Sequence, residues 1–292
     1  MSNTLAPAYR NIVAGLRLFR PAVPTPATLP QLRAKTSEWI SRWRLPLSHD
    51  VPQAENTQGW TIFKPAAETQ GHVFYLHGGG LVFYSVEDFS SLMMYLAAAS
   101  RCTLTAFRYA KAPEHDPNEI VDLVAASMEK RLRELQAEPV TLAGDSIGGY
   151  IALMLALRRI SGRFSRLVLI YPVLDIDHQR PSYATYGRGY CLNADMMRWF
   201  QSLWHAKDDA GRFSPFHLTD KDIRNLPETL VVSAEMDILR DEAFEWCAAL
   251  RAQELPVTHH HMPALAHDFC LHAGAVPEAR EAIDFIAGRL RS

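Results

Sequence analysis

Residues 142–150 of the chain read LAGDSIGGY and join a short apolar run to a long helical pattern. Val140 and Leu142 are typical of a buried strand, and apolar residues recur at helical spacing from Ile151 onward. The segment between them is predicted to be a turn from strand to helix, with one glycine two residues before Ser146 and another two residues after it. Such a tight turn strains its central residue and packs the strand against the helix, so side chains at the two glycine positions would clash. The pattern predicts that Ser146 is a nucleophile.

A serine in this position also has an ordinary explanation. Serine is a preferred N-cap residue, and Asp145 would suit the positive end of the helix that follows. The spacing G-x-S-x-G by itself arises by chance in about one chain in ten of this length. The interpretation of Ser146 as a nucleophile therefore depends on partner residues elsewhere in the chain.

The length and composition allow one large α/β domain with an appended cap. The chain has 292 residues, of which 48% are hydrophobic, and this is enough to bury a substantial core. Acidic and basic residues are interspersed and give a formal net charge of -2. Because nucleic acids and anionic membranes are attracted by basic patches, we expect neither of them as a partner.

The cysteines and the apolar runs indicate a cytoplasmic protein. No C-x-x-C pair occurs, and the cysteines are too sparse for a disulfide scaffold, so reduced thiols are expected. The cysteines are Cys102, Cys191, Cys247 and Cys270. The apolar run at residues 12–16 is ended by an arginine, and no apolar stretch approaches the length of about 20 residues that spans a membrane.

Short apolar runs that alternate with helical patterns predict an α/β fold with a mainly parallel central sheet and helices on both faces. The predicted strands lie at residues 59–64, 73–76, 104–109, 140–143, 167–171, 229–233 and 257–262. Helices are predicted at about 118–138, 238–254 and 277–290. The first strand alternates only weakly and is expected at an edge of the sheet.

Residues 1–50 are predicted to form two helices ahead of the sheet. In the first helix, several apolar residues fall on one face. They are Tyr9, Ile12, Val13, Leu16 and Phe19. Such a face either packs on the body of the protein or lies on a membrane surface, and packing is the favoured interpretation.

A helical cap is predicted from this N-terminal segment together with an insertion at about 175–225, both placed against a catalytic domain at 51–292. The insertion separates two buried strands by far more than the roughly 2 to 6 residues that a connection usually takes outside its helix. Tyr190, Met197 and Phe200 in the insertion are expected to line an apolar pocket for a small molecule. Plain packing of these side chains is the alternative.

Residues 77–80 read HGGG and directly follow the buried strand at 73–76. Three successive glycines leave bare backbone N–H groups, which can approach an oxyanion closely. The alternative is a flexible loop, but a loop directly after a core strand rarely contains three glycines in a row.

A nucleophilic serine needs a general base, and the base needs an acid that fixes its tautomer. Asp237 follows a predicted strand at its carboxyl end, where doubly wound sheets place their sites. Glu235 and Asp241 compete for the role of the acid. Asp241 lies within the following helix, and Glu235 is expected to point in a different direction, so Asp237 is the predicted acid.

His267 is the predicted base because it follows the last strand and completes the chain order Ser, Asp, His. His259, His260 and His261 are the alternatives. They lie within a predicted strand, where alternate side chains face opposite sides, so at most His259 and His261 could share a metal ion. No carboxylate or cysteine cluster accompanies them in the sequence, and no metal site is expected.

Taken together, these motifs resemble the hormone-sensitive-lipase-like branch of the α/β-hydrolase esterases, also called the bacterial group IV esterases. The HGGG motif of the family matches residues 77–80, its GDSAGG motif matches residues 144–149, and its D-x-L-x-D segment resembles residues 237–241. The similarity runs from about residue 71 to the C-terminus. It implies an α/β-hydrolase fold, in which helices flank a mainly parallel sheet and a helical cap covers it.

The resemblance and the residues together predict a serine carboxylic-ester hydrolase that works through an acyl-enzyme. In this reaction Ser146 attacks, His267 moves the proton, and Asp237 orients the imidazole. The backbone N–H groups of Gly78, Gly79 and Ile147 are expected to form the oxyanion hole.

The resemblance implies no cofactor and no metal ion, and the expected partner is a small-molecule ester. A homodimer is an open alternative to a monomer. A deacetylase or amidase for a particular metabolite is the main functional alternative, because it uses the same acyl transfer with a different leaving group. A non-catalytic ligand receptor is a second alternative, although the complete triad argues against it.

The sequence departs from the family pattern at four places. Tyr84 and Asp268 stand where the family usually has glycine, Ile147 replaces alanine beside the nucleophile, and one residue is missing after Glu114. Tyr84 and Ile147 add bulk near the predicted acyl site, so Tyr84 is counted among the substrate-binding residues and short-chain acyl esters are the expected substrates. The pKa of His267 is expected near the ordinary value of a histidine.

Overall fold

The structure is a computed structural model that describes most of the chain. The described residues are 5–18, 25, 27–46, 53–136, 138–160, 162–175, 177–204, 214–218 and 223–291. The described strands are β1 (Gln53–Asn56), β2 (Trp60–Lys64), β3 (His72–Leu76), β4 (Thr103–Phe107), β5 (Val140–Asp145), β6 (Arg166–Ile170), β7 (Glu228–Met236) and β8 (Val257–Ala266). The described α-helices are α1 (Pro7–Leu18), α2 (Leu29–Ser41), α3 (Ser90–Ser100), α4 (Pro117–Glu134), α5 (Ile147–Met154), α6 (Pro181–Tyr186), α7 (Ala194–Leu203), α8 (Arg240–Ala252), α9 (Phe269–His272) and α10 (Pro277–Arg289).

The eight described strands form one sheet in the order β1-β2-β4-β3-β5-β6-β7-β8. β2 pairs antiparallel with both β1 and β4, and the strands from β4 to β8 are parallel to one another. Helices cover both faces of a parallel sheet, which explains why β3, β4 and β5 are continuous runs of buried residues. This architecture confirms the predicted mainly parallel sheet flanked by helices.

The first predicted strand does not lie at the edge of the sheet. That strand is β2, and it lies between β4 and the edge strand β1. The sequence of β1 is QAEN, which carries no apolar alternation, and residues 54–56 are exposed. Because β1 is held by backbone pairing with β2 and not by burial of apolar side chains, hydrophobic patterning could not predict it.

Two strands run further than their apolar patterns predict. β7 extends to Met236 and β8 extends to Ala266, with a register shift between the two strands near their ends. β8 contains Pro263, which a strand tolerates at the edge of a sheet. As a result, Asp237 and His267 each follow directly on the end of a strand.

The first N-terminal helix packs on the body of the protein. Tyr9, Ile12 and Val13 on its apolar face are buried, in agreement with the favoured interpretation. The side chain of Leu16 and the whole of Phe19 lie outside the described residues. Within the described part of the chain, no helix is both long and apolar enough to cross a membrane.

The insertion between β6 and β7 contributes the helices α6 and α7. α7 begins after Asn193, whose side-chain oxygen accepts a hydrogen bond from the backbone three residues later at 2.7 Å. Met197 and Phe200 on α7 are buried. Residues 205–213 and 219–222 of the insertion lie outside the described part, and the domain boundaries stay a prediction.

The carboxyl ends of the parallel strands meet at one edge of the sheet. At this edge β3 leads into the HGGG loop, β5 leads into Ser146, β7 leads into Asp237 and β8 leads into His267. An open α/β sheet binds its ligands at this edge. The topology therefore brings together the four segments that the sequence analysis singled out.

Candidate active site

Ser146 occupies a strained turn between β5 and α5. Its backbone has φ 54° and ψ -123°, and a positive φ is uncommon for residues other than glycine. Gly144 and Gly148 permit the turn, because the backbones of β3, β5 and α5 come very close together here. A Cβ on Gly148 would lie 2.1 Å from the carbonyl oxygen of Leu76, and a Cβ on Gly144 would lie 2.4 Å from that of Gly148. The strained serine lines a cavity at the edge of the sheet.

A continuous hydrogen-bonded chain joins Ser146, His267 and Asp237. Ser146 Oγ lies 3.0 Å from His267 Nε2, and His267 Nδ1 lies 2.6 Å from Asp237 Oδ2. The other carboxylate oxygen of Asp237 accepts a hydrogen bond from the N–H of Leu239 at 2.9 Å. All three side chains are buried. This arrangement can activate a serine, because the base is within hydrogen-bond reach and a carboxylate fixes the tautomer of the base.

The charges around His267 make it a stronger base than a free histidine. Burial alone would lower its pKa, but the neighbouring carboxylates of Asp237 and Asp268 raise the pKa of His267 to about 9. The expectation of an ordinary histidine pKa is therefore wrong. The sequence could not show that a second carboxylate, Asp268 Oδ1, would lie 3.7 Å from His267 Nε2.

The two rival carboxylates have other partners. Glu235 accepts a hydrogen bond from Arg240 at 2.6 Å and lies 2.8 Å from His261 Nε2. Asp241 accepts hydrogen bonds from Arg240 Nε at 2.8 Å and from the N–H of Ser182, on α6 of the insertion, at 2.7 Å. Both carboxylates therefore hold neighbouring segments in place, and neither lies where it could orient the base.

The three consecutive histidines of β8 take part in hydrogen bonds and ring contacts. Ser233 Oγ lies 2.7 Å from His259 Nε2 and 2.9 Å from His261 Nδ1. His260, on the opposite face of the strand, stacks on Phe285 with 3.9 Å between the ring centroids. Among the described residues, no group of three or more His, Cys, Asp or Glu side chains could hold a metal ion.

His77 fixes the backbone of the HGGG loop. Its Nδ1 lies 2.7 Å from the carbonyl oxygen of Gly78, and its ring stacks on Tyr109 with 4.4 Å between the centroids. Tyr109 Oη donates to the carbonyl oxygen of His77 at 2.6 Å. Burial lowers the pKa of His77 to about 3, so the ring is neutral. His77 therefore shapes the loop.

The N–H of Gly78 is already used by a carboxylate. It donates to Asp145 Oδ1 at 3.0 Å, and Tyr75 Oη donates to the same oxygen at 2.9 Å. The described residues that line the cavity include Gly79 and Gly80 but not Gly78. The prediction that Gly78 belongs to the oxyanion hole must therefore be corrected, because the carboxylate of Asp145 takes its N–H.

Three other backbone N–H groups lie beside Ser146 or line its cavity. The hydrogen bonds among the described residues leave the N–H groups of Gly79, Gly80 and Ile147 unused. Gly79 and Gly80 have φ of 114° and 63°, and glycine adopts such values at little cost. Ile147 is the first residue of α5, where N–H groups have no acceptor within the helix. Gly80 was not among the predicted donors, although the HGGG motif contains it.

The cavity lies between the edge of the sheet and the cap. Tyr84, Met197 and Phe200, three of the four predicted substrate-binding residues, line it together with Ser146 and His267. The other described lining residues are Thr36, Trp39, Ile40, Gly79, Gly80, Phe83, Val173, Cys191, Leu192, Met196, Trp204, Asp268, Leu271 and His272. The lining is mainly apolar and aromatic, as is typical of a pocket for a small organic molecule.

Two side chains that were predicted to shape the substrate pocket lie outside the lining of this cavity. Tyr190 packs edge-on against Tyr186 with 5.4 Å between the ring centroids, and it is not among the described residues that line the cavity. The side chain of Ile147 is fully buried, so it packs into the core and does not narrow the acyl site. Both predictions failed for one reason: residue type and spacing do not show in which direction a side chain leaves a turn.

The backbone is left-handed at the two positions where this chain has another residue in place of a family glycine. The angle φ is 64° at Tyr84 and 61° at Asp268. Glycine adopts this conformation easily, whereas other residues are strained by it. Both side chains line the cavity. Strain retained at two cavity positions indicates that these side chains contribute to the site.

Residues of the cap hold the loops that surround Ser146. Trp204 Nε1, just after α7, donates to the carbonyl oxygen of Gly80 at 2.8 Å. Arg33 on α2 donates to the carbonyl oxygens of Val82 and Ala112, each at 2.8 Å. The insertion is therefore bonded to the HGGG loop itself, and the N-terminal part of the cap is bonded to the segment that follows this loop.

The loop of His267 is held by Tyr9 of α1 and by the residue that precedes this helix. Tyr9 Oη lies 2.8 Å from His272 Nδ1 and 3.4 Å from the carbonyl oxygen of His267, to which it donates. The N–H of Ala6 donates to the carbonyl oxygen of Ala264 at 3.0 Å. These contacts join positions more than 250 residues apart, as the Tyr9 pairs show, so sequence patterns could not reveal them.

A family model described as the α/β hydrolase fold matches residues 73–271, more than half of the chain. An ethyl acetate hydrolase of Pseudomonas putida is 30% identical over 231 residues, which cover 75% of this chain and 72% of that protein. An esterase of Fusarium pseudograminearum is 29% identical over 238 residues, with coverage of 75% and 72%. An α/β hydrolase of Acanthamoeba polyphaga mimivirus is 30% identical over 210 residues, which span 68% of this chain but only 61% of that protein.

Solved structures share the fold over nearly the whole chain. A thermostable esterase from Pseudomonas putida superposes with a TM-score of 0.87 at 20% identity, over 100% of this chain and 99% of that chain. An ester hydrolase from the metagenome of Lake Arreo, in complex with a derivative of bipyridine phosphonate, superposes with a TM-score of 0.83 at 25% identity, over 98% of each chain.

Proposed function

The chain belongs to the α/β-hydrolase family, and we propose that it is a carboxylesterase that cleaves short-chain acyl esters through an acyl-enzyme. Its relatives named as an ethyl acetate hydrolase and an esterase agree with an esterase activity. The observation that carries the proposal is the hydrogen-bonded chain from Ser146 through His267 to Asp237, with distances of 3.0 Å and 2.6 Å. The motifs at residues 77–80 and 144–149 support the hormone-sensitive-lipase-like branch of the family.

The first half of the reaction acylates Ser146. Ser146 Oγ attacks the carbonyl carbon of the ester while His267 Nε2 takes its proton, and the carbonyl oxygen becomes an oxyanion. His267 then gives this proton to the alcohol oxygen as the bond between that oxygen and the carbonyl carbon breaks. The carboxylate of Asp237 stabilises the imidazolium that exists between these two steps. The alcohol leaves, and the acyl group remains on the serine.

The second half of the reaction releases the acid. A water molecule gives its proton to His267 and attacks the acyl carbon, and the bond to Ser146 Oγ breaks as the serine regains its proton. The oxyanion that forms in each half is proposed to bind the N–H groups of Gly79, Gly80 and Ile147, which have no acceptor among the described residues. Fixed donors of this kind stabilise charge that develops only in the transition state.

The acyl part of the substrate is expected to be short. A Cβ on Gly79 would lie 2.9 Å from Tyr84 Cδ2, and a Cβ on Gly80 would lie 2.6 Å from the ring of Phe200. Two aromatic rings therefore stand directly beside the proposed oxyanion hole, where they limit the room for an acyl chain. The relative named as an ethyl acetate hydrolase acts, by its name, on an acetyl ester, and this agrees with a small acyl site.

Hydrolysis of 4-nitrophenyl esters from acetate to laurate tests the proposal, with the wild type and the Ser146→Ala variant measured side by side. The wild type should prefer the esters in the range from acetate to butyrate over longer ones, and the variant should be inactive but folded, because loss of the hydroxyl costs about 1 kcal/mol at most. A fluorophosphonate probe should label the wild type alone. Labelling that persists in Ser146→Ala would exclude Ser146 as the nucleophile, and a preference for octanoate or longer would exclude a small acyl site.

A further inference from the structure

Asp268 is a carboxylate in the cavity of Ser146 that takes no part in the proton transfers of the proposed mechanism. It directly follows His267, and its Oδ1 lies 3.7 Å from His267 Nε2, which is beyond the range of a good hydrogen bond. The side chain is 23% exposed, and it lines the same cavity as Ser146. Its carboxylate therefore faces the space that a substrate would fill.

The buried carboxylates of the site have hydrogen-bond donors, whereas the partly exposed Asp268 has none among the described residues. Asp237 is bonded to His267 and to a backbone N–H, and Asp145 accepts from Tyr75 and from a backbone N–H. Within the described part of the chain, no group donates a hydrogen bond to the carboxylate of Asp268, and the nearest nitrogen that can carry a charge is His267 Nε2. A carboxylate taken partly out of water without a donor is costly. A ligand that brings a positive charge would remove this cost.

The cavity around Asp268 suits an organic cation. The aromatic rings that line it belong to Trp39, Phe83, Tyr84, Phe200 and Trp204. The described lining residues include no Lys and no Arg, and His267 is neutral when it accepts the proton of Ser146, so no permanent cation among them competes for the carboxylate. Aromatic faces attract ammonium groups, most strongly where water is excluded. Together the rings and the carboxylate form a site that favours a cation and repels an anion.

The position of Asp268 indicates which part of the substrate it would meet. His267 Nε2 gives its proton to the oxygen of the leaving alcohol, so this oxygen must come close to Nε2 during the reaction. Asp268 Oδ1 lies 3.7 Å from the same nitrogen. The carboxylate therefore lies next to the alcohol part of the ester, at a distance that an ammonium group on a short amino alcohol can bridge.

We propose that the enzyme selects esters of cationic amino alcohols, with Asp268 as the counterion of the ammonium group and the aromatic rings of the cavity as its apolar surroundings. This inference rests on the proposed function, because it takes Ser146 as the nucleophile and His267 as the proton donor to the alcohol. It adds the chemical class of the leaving group, which the triad by itself does not determine.

Asp268 also affects His267, and the test must separate this effect from recognition of the ammonium group. Its negative charge stabilises the protonated form of His267, and this changes the reaction of every ester by the same factor. Recognition of a cation instead changes the ratio between a charged ester and a neutral ester of the same shape. The ratio of kcat/KM values for such a pair therefore reports on the counterion role alone.

Acetylcholine and 3,3-dimethylbutyl acetate form a suitable pair, because they share a shape and differ in the positive charge. The ratio of their kcat/KM values should fall about tenfold or more from the wild type to Asp268→Asn, measured at one pH with the uncatalysed rates subtracted. Asparagine keeps the shape of aspartate and tolerates a left-handed backbone, so the fold should be retained. Asp268→Gly, which removes the backbone strain, should reduce the ratio equally.

Asp195→Asn is a matched control. Asp195 is an exposed carboxylate on α7 that pairs with Arg198 at 2.7 Å, so its substitution removes the same charge from the cap without changing the cavity. The ratio should stay at the wild-type value in this variant. A ratio that falls as much in Asp195→Asn as in Asp268→Asn would overturn the proposal, because general electrostatic attraction would then explain the preference.

The remaining outcomes distinguish the two proposals. Hydrolysis of both esters that requires Ser146, with the same ratio in the wild type and in Asp268→Asn, overturns the counterion and leaves the carboxylesterase standing. If no ester is hydrolysed, including 4-nitrophenyl acetate, the proposed function fails, and binding of tetramethylammonium measured by tryptophan fluorescence still decides the role of Asp268. Binding that is lost in Asp268→Asn supports the counterion, and no binding to the wild type overturns it.

Discussion

The edge of the sheet and the cap contribute to the site in different ways. Ser146, Asp237 and His267 each directly follow a strand of the sheet, so strand pairing in a buried sheet determines where they lie. Met197 and Phe200 instead reach the cavity from a helix of the insertion, and few contacts with the sheet specify their positions. In the proposed mechanism the chemistry belongs to the triad at the sheet edge, and the cap supplies part of the wall of the cavity. Changes to the triad should therefore reduce the turnover of every ester, whereas changes to side chains of the cavity wall should alter which ester is preferred.

Replacement of Asp237, the proposed acid, should cause the largest loss of kcat. Asp237→Asn should lower kcat by about 10⁴-fold, because the amide favours the wrong tautomer of His267 and no longer stabilises the imidazolium. Glu235→Gln is the matched control, since Glu235 is bonded to Arg240 and His261 and not to the base. The measurement is kcat for 4-nitrophenyl acetate, with thermal unfolding of each variant as the check on the fold.

A large loss in Glu235→Gln together with a small loss in Asp237→Asn would reverse the assignment of the acid. It would also break the comparison between the two regions, because the bonds of Glu235 connect the sheet to the cap. Tyr186 Oη of α6 donates to Glu235 Oε1 at 2.5 Å, so this carboxylate marks the boundary between the two parts of the site.

The pH dependence of the activity should respond most to the loss of the Asp268 carboxylate beside His267. The activity of the wild type should rise with pH as His267 loses its proton, with a midpoint above the ordinary histidine value, because Asp237 and Asp268 raise the pKa of His267 to about 9. Asp268→Asn removes one of these charges, so the charged imidazole is less stable and the midpoint should fall by about one pH unit. The measurement is kcat/KM for 3,3-dimethylbutyl acetate between pH 5 and pH 10. An unchanged midpoint would mean that the charge of Asp268 does not reach the base.

The sequence predicts the edge of the sheet far better than the cap. The strands β3 and β5 are continuous runs of buried residues, and the glycines around Ser146 indicate a close approach of backbones that the structure shows at Gly144 and Gly148. The local sequence pattern and the final structure agree here, because the burial that stabilises a strand also fixes the position of the residue that follows it. This is why the positions of Asp237 and His267 after strand ends could be expected from the chain order alone.

The sequence failed where long-range contacts decide the outcome. The N–H of Gly78 is used by Asp145, and nothing in the HGGG motif shows which of its glycines keeps a free N–H. Tyr190 is an aromatic residue of the insertion like Phe200, yet only Phe200 lines the cavity, because the direction of each side chain depends on the packing of the cap. Asp268 was visible as a departure from the family pattern, but its distance from His267 Nε2 needed the fold.

A hydrogen bond from the cap to the HGGG loop joins the two regions, and its removal should have a smaller effect. Trp204→Phe removes the bond from Nε1 to the carbonyl oxygen of Gly80, which is worth about 1 kcal/mol. We expect kcat to fall about fivefold with little change in KM, because the loop carries proposed oxyanion donors. Trp199→Phe is the control, since Trp199 Nε1 has no hydrogen-bond partner among the described residues. Equal losses in the two variants would show that the bond to Gly80 has no special role in turnover.

The smallest effect, counted for a single methylene group, concerns the acyl chain. Tyr84 has a positive φ of 64° and stands beside Gly79, so Tyr84→Gly should relieve backbone strain and open the acyl site at the same time. Each methylene group that can then be buried adds up to about 0.8 kcal/mol, or roughly a fourfold gain in kcat/KM, and the optimum should move towards longer 4-nitrophenyl esters. Ile147→Val is the matched control, because the side chain of Ile147 is fully buried in the core and its shortening should leave the acyl preference unchanged. If the optimum moves in Ile147→Val and not in Tyr84→Gly, the core beneath the nucleophile determines the acyl length, and the aromatic wall of the cavity does not.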